Sequence, residues 1–225
     1  MPATLLAVAH GTADPAGVAE IQRLVELVRA PRPAIRVELG WLEQADPAAA
    51  EVLGRLTGAV VIVPVLLSSG YHLNVDIARL AAGRPQTAIA GQLGPDPRLV
   101  EVVRQRLQPG RRPGNDVVLF GAGSADPAAY QQLTEAALGL RRALAASEDT
   151  ELVVQPRFLT DPDWATGLRA GSDVASYLLA PGVFADRLRA RAEQLPAGFV
   201  APPIGAHPLV AELIWHRYDQ AASAG

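Results

Sequence analysis

Residues 4–15 read TLLAVAHGTADP, and residues 116–127 read DVVLFGAGSADP. Each stretch has the same three parts: an apolar run of strand length, a glycine-bearing turn, then Asp-Pro. Asp as N-cap and Pro at the first helical position satisfy or remove amides that a helix start leaves orphaned. Each stretch therefore predicts a buried strand that turns directly into a helix. Their recurrence at an offset of 112 residues predicts an internal duplication. The same offset aligns LLSSGYH (66–72) with LLAPGVF (178–184).

Outward from these stretches, short apolar runs alternate with helical patterns. Strands are predicted at 4–9, 35–42, 59–67, 87–90, 116–121, 151–158, 173–179 and 198–201. The run AVVIVPVLL (59–67) has the near-continuous apolar character of a strand covered on both faces of a parallel sheet. Pro64 lacks an amide donor, so a bulge there or a strand end near residue 63 is expected. Asp-Pro recurs at Asp46-Pro47, Asp96-Pro97 and Asp161-Pro162, so each pair is expected to open a helix and its aspartate to act as a cap. The order β-α-β-α-β-α-β-α, run twice, predicts an α/β fold. It comprises two similar lobes, each a four-stranded parallel sheet flanked by helices. The boundary is expected within PGRRPGN (109–115), giving lobes over 1–112 and 113–225.

The two copies differ in their histidines. Ala122 stands where His10 stands, and Phe184 where His72 stands. A histidine required for packing would be required in both copies, whereas one that does chemistry can be lost from an idle copy. In an open parallel sheet, ligands bind off the carboxyl ends of the strands where the strand order reverses. His10 follows the first predicted strand, Glu43 the second, and His72 the third. In a 2-1-3-4 order these strands are neighbours, and a spacing of ~4.8 Å brings the three side chains within ~10 Å. Two imidazoles and a carboxylate there make an open site for a borderline divalent metal. Against this, a lone histidine after a strand is often only hydrogen-bonded, and a glutamate before a helix is favoured by the helix dipole alone. His207 and His216 read as a helix start and a surface or packing residue, not as primary ligands.

Composition excludes several chemistries. All 20 Lys and Arg positions are arginine. A Walker A lysine, a Schiff-base lysine and a lysine general base are therefore absent. Cysteine is also absent, which removes disulfides, thiolate metal sites and an Fe–S cluster and agrees with a cytoplasmic location. A net charge of −3 gives no case for nucleic acid or an anionic membrane surface. The N-terminal MPATLLAVAHG has no basic segment and reads as a strand rather than a signal peptide. No apolar stretch approaches the ~20 residues of a membrane span.

AHGTADP (9–15), VPVLLSSGYHLNVDI (63–77), the histidine-free GAGSADP and SYLLAPGVFADRL, and GAHPLVAELIWHRYDQA (205–221) together resemble the class II chelatases. The nearest resemblance is to the long, two-lobed sirohydrochlorin chelatases, lyases that insert cobalt or iron into sirohydrochlorin in siroheme or cobalamin biosynthesis. The likeness implies a tetrapyrrole bound in a cleft between lobes. It implies His10, His72 and Glu43 as metal-binding and catalytic residues. Ser68, Ser69 and Gly70 would let backbone approach the macrocycle, and Phe184 would contact its flat face. Arg79, Arg157 and Arg187 are candidates for its carboxylates by position. A divalent metal, Fe2+ or Co2+, is implied as substrate, with no ATP and no Fe–S cluster. The fused chain resembles a covalently linked homodimeric short form, which implies a monomer. Histidine phosphatases also place His-Gly after a first strand, but they need an arginine just before the histidine, where this chain has Ala9. A non-catalytic metal or tetrapyrrole carrier is the other alternative.

Overall fold

The computed structural model describes residues 2–68, 70–124, 126–146, 152–194 and 198–223, and of residues 71–74 the backbone alone. The first sheet holds β1 (Thr4–Ala9), β2 (Val37–Trp41), β3 (Val60–Val65) and β4 (Thr87–Ile89), all parallel, in the order β2-β1-β3-β4. Every residue of β1 is buried, as its apolar run requires. Leu6, Val8 and Ile62 pack on one face with Val52 and Leu53 of α2 (Ala49–Arg55) and Ile77 of α3 (Tyr71–Ala81). α1 (Pro15–Arg29) buries Gly17, Ile21, Leu24, Val25 and Val28, a single stripe at helical spacing. α7 (Pro208–Ser223) packs against α1 and β3. Trp215 Nε1 on α7 donates to the Val28 carbonyl at 2.9 Å, and Tyr218 Oη donates to the Ala3 carbonyl at 2.6 Å. Arg32 grips Asp219 through two bonds of 2.6 and 2.8 Å while its guanidinium lies 4.4 Å from the Trp215 ring centre.

Pro64 lies inside β3, paired with Val8, and neither a bulge nor an early strand end occurs. Even-numbered residues of β3 address β4: Val60 N donates to Gln86 O, and Ala90 N donates to Ile62 O. Pro64 has the same parity, but β4 ends at Ile89, so its missing donor faces a gap in the ladder. Pairing resumes where Leu93 N donates to Leu66 O at 2.9 Å. A cavity of about 430 Å3 lies at this gap, lined by Pro64, Leu66, Ile77, Gly91 and Gln92 among others.

Among the described residues the second sheet has three strands rather than the expected four. β5 (Val117–Gly121), β6 (Val154–Phe158) and β7 (Asp173–Tyr177) run parallel in the order β6-β5-β7. The segment 198–201 contributes a single bridge, Val200 to Val174. Its apolar run is three residues long, and Pro202 and Pro203 follow it without amide donors. Residues 159–172 run as turns where α2 stands in the first copy, and Trp164 from this segment packs 5.9 Å from Phe120. α5 (Pro127–Ala145) and α6 (Val183–Gln194) complete the strand–helix repeats.

The compact units do not follow the expected division at 112/113. One comprises residues 1–94 and 206–225, the other 95–205. α4 (Pro97–Leu107) ends the first copy but packs on α5 and β7, with Leu99, Val102, Val103 and Leu107 buried. Gly139 admits Val100 of α4, since a Cβ there would lie 3.1 Å from Val100 Cγ2. α7 ends the second copy but packs on the first sheet. Each copy thus gives its last helix to the other copy's sheet. Periodicity identifies an amphipathic face without saying which sheet covers it.

The Asp-Pro pairs also divide. Asp14, Asp96 and Asp126 cap α1, α4 and α5, accepting from the amides of Ala16, Arg98 and Ala128 at 2.8, 3.0 and 2.9 Å. Asp46 does not cap. It precedes Pro47 through a cis peptide, and α2 starts after Ala48. Asp161 accepts from Asp163 N at 2.9 Å inside a turn rather than at a helix start. Among the described residues no helix is long and apolar enough to cross a membrane.

Candidate functional site

Two of the three expected ligands meet. The β1–β2 ladder continues one step past both strands: Leu42 N donates to Ala9 O at 2.9 Å, and Glu43 N donates to His10 O at 3.0 Å. The two residues are therefore placed by backbone pairing, not by chance contact of long side chains. His10 Nδ1 lies 3.3 Å from Glu43 Oε1, with side chains 49% and 51% exposed, so the pair is open to an incoming ligand. Gly11 makes the approach feasible. Its φ is +110°, and a Cβ there would overlap the Glu43 carbonyl. The turn behind is fastened by Asp14, whose amide donates to Thr12 Oγ1 at 3.1 Å. Asp14 is a cap and takes no part in the pair.

His72 is the second residue of α3, and its helix follows β3, the neighbour of β1. Its side chain, and all of Ser69, lie outside the described residues. Ser68 is half-buried after β3, and Gly70 precedes α3 with an extended φ of −139°, so no left-handed turn demands a glycine there. Among the described residues no third His, Cys, Asp or Glu joins His10 and Glu43.

The second copy repeats the frame without the ligands. Gly121 pairs with Phe158 as Ala9 pairs with Trp41, and Leu159 N donates to Gly121 O at 3.0 Å. The next position, opposite Ala122, is Thr160, where the first copy has Glu43. Gly123 has a φ of +113°, and a Cβ there would overlap the Thr160 side chain. Sequence reasoning missed this third replacement because the offset grows between β5 and β6. Aligning WLE (41–43) with FLT (158–160) would have found it. Phe184 is the second residue of α6, as His72 is of α3, and is 39% exposed beside Val183 at 60%. It lies at the surface rather than in the core. On the opposite flank of this sheet, Tyr130 is exposed and meets Phe158 edge-on at 5.9 Å.

The candidate arginines separate. Arg187 stands over Phe184, 5.9 Å from its ring centre. Arg157 is spent on its own strand and the turn that follows, donating to Pro156 O, Gln155 Oε1 and Thr166 O. Arg79 pairs with Asp76 two turns into α3, about 12 Å along the axis from its start. His207 accepts from Leu209 N at 3.2 Å and so starts α7, and His216 is exposed on that helix.

Residues 4–109 match the CbiX family. A search of curated protein sequences gives no match. Solved structures share the fold along nearly the whole chain. SirB from Bacillus subtilis with Fe3+ is 24% identical, with a TM-score of 0.79 over 99% of this chain and 96% of that one. The sirohydrochlorin chelatase SirB from Bacillus subtilis subspecies spizizenii, in complex with cobalt, is 23% identical, with a TM-score of 0.80 over the same shares. CbiX, the terminal enzyme of siroheme biosynthesis in denitrifying bacteria, is 23% identical, with a TM-score of 0.69 over 97% of this chain and 99% of that one. At these identities the likeness establishes a common fold.

Proposed function

We propose that the chain is a class II chelatase that inserts a divalent metal into sirohydrochlorin without ATP, a reading supported by the CbiX-family match of residues 4–109. The observation that carries this reading is the His10–Glu43 pair, open at the carboxyl edge of the first sheet and replaced by Ala122 and Thr160 in the second copy. Insertion exchanges two pyrrole protons for one M2+. A proton on His10 Nδ1 is directed at Glu43, which leaves the Nε2 lone pair free for a pyrrole proton or for the metal. The second Glu43 oxygen and His72 complete an N/O donor set. Such a set lacks thiolate and holds Fe2+ or Co2+ loosely enough to yield it to four pyrrole nitrogens.

In this reading the backbone at Ser68, Ser69 and Gly70 approaches the macrocycle. By the family resemblance, Phe184 is a candidate contact for the flat ring and Arg187 for a substrate carboxylate. One site per chain makes the protein active as a monomer. The reading is supported by SirB structures that carry Fe3+ or cobalt, and both Fe2+ and Co2+ are candidate substrates here. The test is anaerobic mixing of protein with sirohydrochlorin and Fe2+, Co2+ or Ni2+, followed by absorption. Faster metallation than in protein-free solution, with turnover beyond one equivalent, is expected. Binding without turnover would make the protein a carrier. Phe184→Ala is expected to raise the Kd for sirohydrochlorin while leaving that for Co2+ unchanged.

A further inference from the structure

Beside the His10–Glu43 pair sits Gln44, the one non-glycine residue with a left-handed φ, +60°, among the described residues. A residue with a Cβ takes that conformation at a cost, and it persists only where the surroundings impose it. Gln44 Nε2 donates to Glu43 Oε1 at 3.3 Å. That is the oxygen that faces His10 Nδ1. Oε1 is thus held between two nitrogens, and Oε2 has no partner among the described residues.

The duplication supplies an internal comparison. The second copy keeps the paired strand ends and the left-handed glycine, Gly123. It has Thr160 in place of Glu43, and Asp161 follows with a negative φ, its amide donating to Phe158 O at 3.1 Å. The frame therefore folds without a strained residue at this point. The strain accompanies the carboxylate.

We propose that Gln44 is a positioning residue: its left-handed backbone and side-chain amide fix Glu43 so that Oε1 engages His10 and Oε2 is left for the incoming metal. The proposal rests on the reading of His10 and Glu43 as a metal site. The test uses the full chain, anaerobic Co2+ as probe, its visible absorption as the spectroscopic signature, and thermal midpoints as the folding control. Gln44→Met keeps the reach and loses the donor. It is expected to weaken Co2+ binding about tenfold, the scale on which outer-shell partners act, and to change the Co2+ spectrum. Gln44→Gly accepts the left-handed φ without strain, and is expected to lose the same affinity at an unchanged or higher thermal midpoint. The double variant Glu43→Gln/Gln44→Met should bind as Glu43→Gln does, because Gln44 acts through Glu43. Wild-type affinity and spectrum in Gln44→Met, alongside weakened binding in Glu43→Gln, would overturn the positioning role and leave the metal site standing. An additive loss in the double variant would also overturn it. Unchanged Co2+ binding in Glu43→Gln would instead remove the metal-site reading and the proposal with it.

Discussion

At position 11 any side chain would run into the Glu43 carbonyl, so the meeting of His10 and Glu43 depends on a glycine as much as on the two residues that meet. Gly123 keeps the left-handed turn in the second copy, where a Cβ would meet the Thr160 side chain and nothing reactive is assembled, so the frame forms without its ligands. His10→Ala should therefore fold like the wild type, as Ala122 already does in the second copy. Its metallation rate should fall about a hundredfold or more, the usual scale for a positioned acid–base group. A collapse of the thermal midpoint with activity per folded molecule intact would make His10 a packing residue. His10 was legible because a duplicated chain carries its own control, and Glu43 because it follows the strand expected beside β1. Gln44 was not, because a left-handed φ at a glutamine leaves no mark in composition or spacing. Tyr177 escaped for a similar reason. It ends a buried strand, yet its hydroxyl is buried with no hydrogen-bond partner among the described residues, and burial raises its pKa above the ordinary phenol value. Tyr177→Phe removes an unpaired polar group from the core and should stabilise the protein by about 1 kcal/mol in chemical denaturation. A destabilised variant would mean that the hydroxyl has a partner, such as a bound water.

Among the elements, α7 is held in place by a mixture of packing and charge. Its apolar face, with Val210, Leu213, Ile214 and Trp215, is buried, and Arg32 clamps Asp219 near its far end. The hydrogen bonds from Arg32 hold the Asp219 carboxyl below the ordinary carboxylate range, against a smaller opposing effect of burial. A carboxyl with a lowered folded pKa adds stability above its unfolded value, ~3.9, and loses it as pH falls through the folded value. Asp219→Asn should thus lower the thermal midpoint at pH 7, and the gap from wild type should close below about pH 4. The pair is half-exposed, so the effect at pH 7 should stay within ~1 kcal/mol. A gap that does not narrow at all as pH falls below about 4 would assign the loss to packing on Trp215 instead. The strands that pattern alone could locate are long and apolar, such as β1 and β3, and the structure has both. Local pattern failed where longer-range circumstance decides. Pro64 is tolerated because β4 stops short of it, and residues 198–201 fall short of a strand because two prolines follow.

Across the whole molecule, the duplication in sequence and the division in space disagree, and the disagreement has consequences. The repeat in sequence is expected to divide at 112/113, but α4 completes the second sheet's layer and α7 completes the first's. Sequence alone shows two amphipathic helices of similar placement, each behind its own last strand. It carries no sign of the exchange, because either sheet offers an apolar face. A fragment of residues 1–112 would hold α1 and β3 without their α7 cover, and would carry α4 without the β7 and α5 surface on which Leu99, Val102, Val103 and Leu107 are buried. Two apolar faces would be exposed at once, a condition that soluble monomers avoid. Because α4 and α7 hold corresponding places in the two copies, two such fragments can cover each other by lending α4 to the α7 position. Fragment 1–112 alone should therefore be a dimer or an aggregate. Fragments 1–112 and 113–225 expressed together should form a 1:1 complex that retains Co2+ binding at His10 and Glu43. Size-exclusion chromatography with light scattering decides the matter. A well-folded monomer of 1–112 would show that each copy can cover its own sheet, and that the exchange of last helices is not what holds the two copies in one fold.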